Sequence, residues 1–172
     1  MVAAVGTHLS TASGQAASPV SNALRMFLRQ DAAKLIRAVD LMPTDRFAFR
    51  PTPGNMSFAQ LVRHTGVNND QACARIAGST PTTEPWPSAD APAADLVARY
   101  RRSFEICEAA FTALTDAGIN DSIALGPRLK WTRAALMIDI VADWENHYGA
   151  IATYLRLNGI LPPTARPPAS NP

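Results

Sequence analysis

Asp143 and His147 stand four residues apart in the stretch from Asp139 to Gly149. On a helix their side chains leave the same face and can share one proton or one ion. They also continue the apolar seam drawn through Leu136, Ile140, Ile151 and Tyr154, at positions where a plain bundle would carry Leu or Ile. A carboxylate and an imidazole buried there cost free energy unless they are paired or ligated. Two chemistries meet that need: a metal site, or a hydrogen-bonded Asp–His pair that plugs the core. His64 is the candidate third donor for a metal, at the edge of an earlier apolar stripe, one turn after Leu61 and one turn before Asn68, a place from which it either reaches into the bundle or sits at the surface. Two imidazoles and one carboxylate leave open positions on a divalent ion, as a catalytic site does, and zinc, nickel or ferrous iron would each suit them. Asn68, Trp144, Glu145 and Tyr148 are near enough in sequence to support the ligands or line a pocket.

Helices must position these groups. Ser18-Pro19 reads as an N-cap followed by proline at the first helical position, and Met42-Pro43 closes that helix. Its apolar face is Leu24, Phe27, Leu28, Leu35, Ile36 and Val39. Ser57-Phe58-Ala59-Gln60 is a capping box that opens a second helix, which Gly78 ends. A third is predicted from about Ala93 to Ala117 through Leu96, Tyr100, Phe104, Cys107, Phe111 and Leu114. A fourth starts near Trp131-Thr132 and runs to Asn158, before Gly159 and Pro162-Pro163. No segment alternates with period two over a useful length. The fold expected is all-α, a four-helix bundle over residues 18–165, with tails at 1–17 and 166–172.

The connection GSTPTTEPWPSADAP, residues 78–92, is longer than an antiparallel neighbour needs and holds four prolines. Extended, it spans roughly 50 Å, against roughly 35 Å for these helices. Two readings fit: a crossover that leaves helices two and three parallel, in an up-down-down-up bundle, which the length favours, or an ordinary long hairpin loop. Trp86 is expected to pin that loop to the bundle more than to line a pocket. Parallel helices would set Cys73 and Cys107 at nearly the same height, within roughly 3 Å along the axis. A disulfide is then open to them, as is a pair of buried free thiols.

Composition narrows the function classes. The chain has 172 residues, 47% of them hydrophobic, and a net charge of +2 with the signs interspersed. That argues against a nucleic-acid binder resting on charge, and no apolar run approaches a membrane span. Two cysteines make neither a zinc module nor a disulfide scaffold. Nucleotide-binding glycine loops, GxSxG and HExxH do not occur, and Arg101-Arg102 is read as a solvated helix face. Residues 1–17, which include His8, are either a loose tail or the end of an export signal. The first places the chain in the cytoplasm. The second places it outside, where a disulfide becomes the expected state and cytosolic thiols are implausible partners.

His147-Tyr148-Gly149, Tyr154-Leu155-Arg156-Leu157-Asn158-Gly159 and Pro162-Pro163 together resemble the closing signature of DinB-like proteins. In that superfamily the fourth helix typically reads HxxxHxGQ, then YxR, then GxxPP. Residues Met56 to His64 are similar to its helix-two motif, which ends in a ligand histidine. The resemblance covers about residues 18–165 and implies a four-helix bundle with the same crossover. It also implies a divalent metal, commonly zinc or nickel, held between helices by three histidines. His64 and His147 match two of these; the third falls on Asp143, where the family more often has His. That carboxylate lowers the site's charge by one and favours harder metals, and it also fits a site that has lost its metal. Gly149 matches, whereas Ala150 replaces the usual Gln.

Some relatives add a low-molecular-weight thiol to electrophiles, and others are thiol-dependent isomerases. The resemblance thus implies metal-assisted chemistry on a small molecule with a thiol co-substrate, the metal lowering the thiol's pKa. The alternative is a non-catalytic bundle, a binding or structural module in which Asp143 and His147 are a buried polar pair. Homodimers are common in the group, which makes a second copy one candidate partner, but nothing in the sequence fixes it.

Overall fold

The computed structural model describes residues 18–165; the tails expected at 1–17 and 166–172 lie outside the described residues. Four helices carry the fold: α1 (Pro19–Asp40), α2 (Phe58–Ala77), α3 (Ala93–Thr112) and α4 (Arg133–Leu157). Side-chain pairs fix their directions. Asn69 meets Ser103 and Cys73 meets Cys107, so α2 and α3 run parallel. Arg29 meets Glu108 and Asp40 meets Arg101, which makes α1 antiparallel to α3. Asn69 bonds Trp144 near the middle of α2, and the carbonyl of Met56 bonds Tyr154 at its start, which makes α4 antiparallel to α2. The molecule is an up-down-down-up four-helix bundle. None of its described helices is long and apolar enough to cross a membrane.

Helix ends show local and tertiary control side by side. At the start of α2, Ser57 Oγ accepts from the Gln60 amide and Gln60 Oε1 accepts from the Ser57 amide, the reciprocal capping box. Gly78 then closes α2 with φ +72°, a conformation open to glycine at little cost. Ser18 sits at the N-cap of α1, but its side chain caps nothing. The carboxylate of Asp116 caps instead, accepting from the amides of Val20 and Ser21 at 3.1 and 2.8 Å. Arg25 returns the favour at the end of α3, donating to the carbonyls of Phe111 and Leu114 at 3.3 and 2.8 Å.

That exchange explains where the third helix stops. Expected to reach Ala117, it ends at Thr112, although Leu114 keeps the apolar period and is buried. The chain leaves the helix so that Asp116 can reach the start of α1. A short 3-10 turn, Gly118–Asn120, follows. Next comes a hairpin the pattern did not predict, β1 (Ser122–Ala124) against β2 (Lys130–Thr132), antiparallel with Ile123 opposite Trp131. Three-residue strands are too short for alternation to show. Thr132 ends the hairpin and caps α4 by accepting from the Ala135 amide at 3.1 Å.

The core sits around Trp144, which is 0% exposed and packs its ring near those of Phe104 and Phe111. Its indole N–H donates to Asn69 Oδ1 at 2.7 Å; Asn69 Nδ2 donates to Ser103 Oγ, which donates to the Tyr100 carbonyl. This buried relay ties three helices together, with its donors satisfied in sequence.

Between α2 and α3 the disulfide Cys73–Cys107 closes a loop of 34 residues, with Cα atoms 5.0 Å apart and both cysteines 0% exposed. Denatured without reductant, the protein should show no reactive thiol. The Cys73→Ala/Cys107→Ala variant should lose about 2–4 kcal/mol of unfolding free energy in urea titrations, because its unfolded chain regains the freedom the closed loop denies it. Two titratable thiols in the unreduced protein would refute the bond.

Candidate functional site

Helices α2 and α4 cross so that His64, Asn68, Asp143 and His147 come together. The rings of His64 and His147 are 5.2 Å apart, edge to face. His147 Nε2 lies 3.3 Å from Asp143 Oδ2, and Asn68 Nδ2 lies 3.4 Å from His64 Nε2. His147 is buried, and its Nε2 makes no aligned hydrogen bond, the short approach to Asp143 being an electrostatic contact. An orphaned buried nitrogen is costly unless something else takes its lone pair or proton. Asp143 stands at the rim with its side chain 32% exposed. The His147 imidazole, with the Asn68 amide and His64, holds its carboxyl below the usual aspartate range, against burial that pushes the other way.

Two imidazoles and a carboxylate are in kind a donor set for a divalent transition metal. In the arrangement seen, however, no group of three or more His, Cys, Asp or Glu side chains among the described residues stands in metal-holding geometry. The apolar seam of α4 also differs from the expected one. It runs through Leu136, Ile140, Trp144, His147, Tyr148 and Ile151, so Trp144 fills the core and Asp143 flanks it. Of the four expected supporting residues only Asn68 is seen bonded to one of these three side chains. Glu145 and Tyr148 face α1, where Lys34 pairs with Asp31 and Glu145 and its ammonium sits 4.7 Å over the Tyr148 ring. The Tyr148 hydroxyl bonds Thr164 at 2.8 Å.

His64 opens onto a cavity of about 580 Å³ lined also by Met56, Arg63, Val67, Trp86 and Ser88. The crossover loop forms its outer wall. Trp86 holds that loop down: its indole N–H donates to Asp70 Oδ2 at 2.8 Å, and the Arg99 guanidinium stacks on the ring 4.4 Å from its centre. Asp70 and Arg99 are themselves a buried ion pair joining α2 to α3. Gly66 gives the indole its seat, since a Cβ there would lie 2.0 Å from Trp86 Cη2. Trp86 therefore both pins the loop and lines the cavity. The glycine inside an otherwise regular helix was a signal for close approach, but nothing in the chain pattern paired it with Trp86. Asp70, Arg99 and Arg63 carried no signal at all, because their partners lie across the crossover.

A four-helix bundle with a helix-two to helix-three crossover, and a His–Asp–His cluster between helices two and four, defines the class. A family model for the DinB superfamily matches residues 28–151, and the chain belongs to that superfamily. Among solved structures, a DinB-like protein from Bacillus subtilis superposes with a TM-score of 0.65 at 19% identity, over 80% of this chain and 92% of that one. A conserved protein from Enterococcus faecalis gives 0.64 at 17% identity, over 82% and 98%. Likeness at such identity establishes the fold. No curated protein matches the chain.

Two outcomes follow from the geometry. Gly66→Ala gains about 1 kcal/mol of helix propensity, yet its methyl evicts Trp86. A net loss of about 1–3 kcal/mol is expected, with red-shifted tryptophan emission. Unchanged or higher stability would remove the seat argument. Asp143 contributes stability that is present above its unfolded pKa of about 3.9. That contribution is lost as pH falls through the depressed folded value. Thermal melts of Asp143→Asn should therefore lie below wild type at neutral pH and converge with it in acid.

Proposed function

We propose that this protein binds one divalent cation between α2 and α4 through His64, Asp143 and His147, and acts on a small molecule held in the adjoining cavity. The observation that carries this reading is the buried Nε2 of His147, without an aligned hydrogen bond, set 3.3 Å from the Asp143 carboxylate and beside a second imidazole. Zinc or nickel suits two nitrogens, and the carboxylate keeps ferrous iron within range. Closing on an ion requires the two imidazoles to turn so that their nitrogens converge. A bound cation would act as a Lewis acid, lowering the pKa of a water or of a low-molecular-weight thiol co-substrate.

The chain's own residues have separate tasks in this reading. Asn68 steadies His64, and Asp143, its carboxyl held in the charged form, stands beside His147 as the third donor. Trp86, fixed by Asp70 and Arg99, holds the loop over the cavity and limits water on that side. A stable helical scaffold fixes the backbone positions of the two facing helices while the imidazoles turn toward the ion.

Elemental analysis of tag-free protein purified without chelator tests the reading. About one ion per chain is expected in the wild type and near none in His147→Ala, with helicity unchanged. Added zinc or nickel should raise the wild-type melting temperature by preferential binding to the folded state. If both proteins are empty and neither metal moves the melt, the cluster is a polar pair in a binding or structural module.

A further inference from the structure

Arg63 is the charged side chain on the wall of the His64 cavity, and it is only partly committed. Its Nε donates to the Pro87 carbonyl at 3.1 Å, which ties the guanidinium to the crossover loop. No described residue takes its two terminal nitrogens. No carboxylate lines the cavity. Apart from His64, the other walls are uncharged: Met56, Val67, Ala89, the Trp86 ring, the Ser88 hydroxyl and Gln60, whose side-chain oxygen is taken by the Ser57 amide. Met56 is exposed there, a large thioether left without cover. Trp86 is not free to swing aside, since Gly66 seats its ring and Asp70 holds its N–H. A cavity of about 580 Å³ is the size of a small-molecule site.

The geometry points to a small organic carboxylate as the ligand of this cavity, its anionic end paired with the terminal nitrogens of Arg63 and its apolar body lying on Trp86 and Met56. A guanidinium anchored through Nε presents its remaining N–H groups as a planar fork, the shape that a carboxylate's two oxygens match. One cation with three apolar walls suits a monoanion that carries a hydrocarbon body. A phosphate, with more charge and no apolar part, would leave the walls unused. This deepens the function proposed above and rests on it for the role of His64, but the carboxylate contact itself needs no metal.

Calorimetric titration with hydrocinnamate as probe tests it. Hydrocinnamyl alcohol serves as the uncharged match and inorganic phosphate as the anion without a body. Hydrocinnamate should bind the wild type saturably, the alcohol about tenfold or more weakly, and phosphate not measurably. Arg63→Gln should weaken hydrocinnamate about tenfold to a hundredfold. Its melting temperature should hold, because the side chain is exposed. His147→Ala, which removes the proposed metal, should keep the probe. The proposal is overturned if hydrocinnamate does not bind, if the alcohol binds equally well, if phosphate competes with the probe, or if Arg63→Gln changes nothing. Metal content read in parallel separates the two ideas. Metal without probe binding leaves the cation site standing and ends the carboxylate assignment; probe binding without metal does the reverse.

Discussion

Two consecutive helices that run parallel impose a constraint on everything around them. The chain must travel back the full height of α2 before α3 can begin, and residues 78–92 do that work as an extended, proline-rich strap. With α2 and α3 in register, Asp70 reaches Arg99, Asn69 reaches Ser103 and Cys73 reaches Cys107, the α3 partners falling on successive turns. A hydrogen bond, an ion pair and a covalent bond thus lie along the same interface. An antiparallel α3 would separate at least two of these pairs. The buried charges of Asp70 and Arg99 would then lack each other, and breaking such a pair costs about 3–5 kcal/mol.

The strap is held by the same seam it makes necessary. Trp86 bonds Asp70 and lies against Arg99, and Arg63 grips the Pro87 carbonyl. Its position gives the His64 cavity a wall, while α4 turns another side to α1. On that other side Asp31, Glu145 and the Tyr148 ring surround the Lys34 ammonium, joining α1 to α4. Helix α4 is clamped on two faces within one turn, by this cation and by the relay through Trp144 and Asn69. His147 lies between the two clamps, so its ring is placed by rigid neighbours and not by a loop.

Local rules in the chain pattern were sufficient for α2, whose capping box and terminal glycine both form, and for the extent of α4. Loop length favoured parallel α2 and α3 over a long hairpin loop without deciding between them, and the Asn69–Ser103 and Cys73–Cys107 pairs decide it. Features built from distant partners were not legible. Ser18 looks like a cap, yet Asp116 does the capping, because a carboxylate delivered by tertiary structure takes the Val20 and Ser21 amides. The seam of α4 was drawn one residue off at Asp143. Trp144 is large enough to claim the centre of the core, and a heptad pattern does not weigh volume. His64, Asp143 and His147 could be picked out because their types are unusual on apolar helices. Arg63 could not, since an arginine on a helix is ordinary until the loop that it grips is known.

The bond between Cys73 and Cys107 encloses the strap in a covalent ring. The strap is largely exposed and has little regular structure, which makes it the natural place for a protease to cut. A single cut there would not release anything. The fragment bearing α1 and α2 and the fragment bearing α3 and α4 would stay joined through sulfur, with most of the packed core undisturbed. Such a nicked molecule would run as one species on a gel without reductant and as two with it. What the cut would take away is the wall over the His64 cavity, so any function that depends on that wall would fail while the bundle stayed folded.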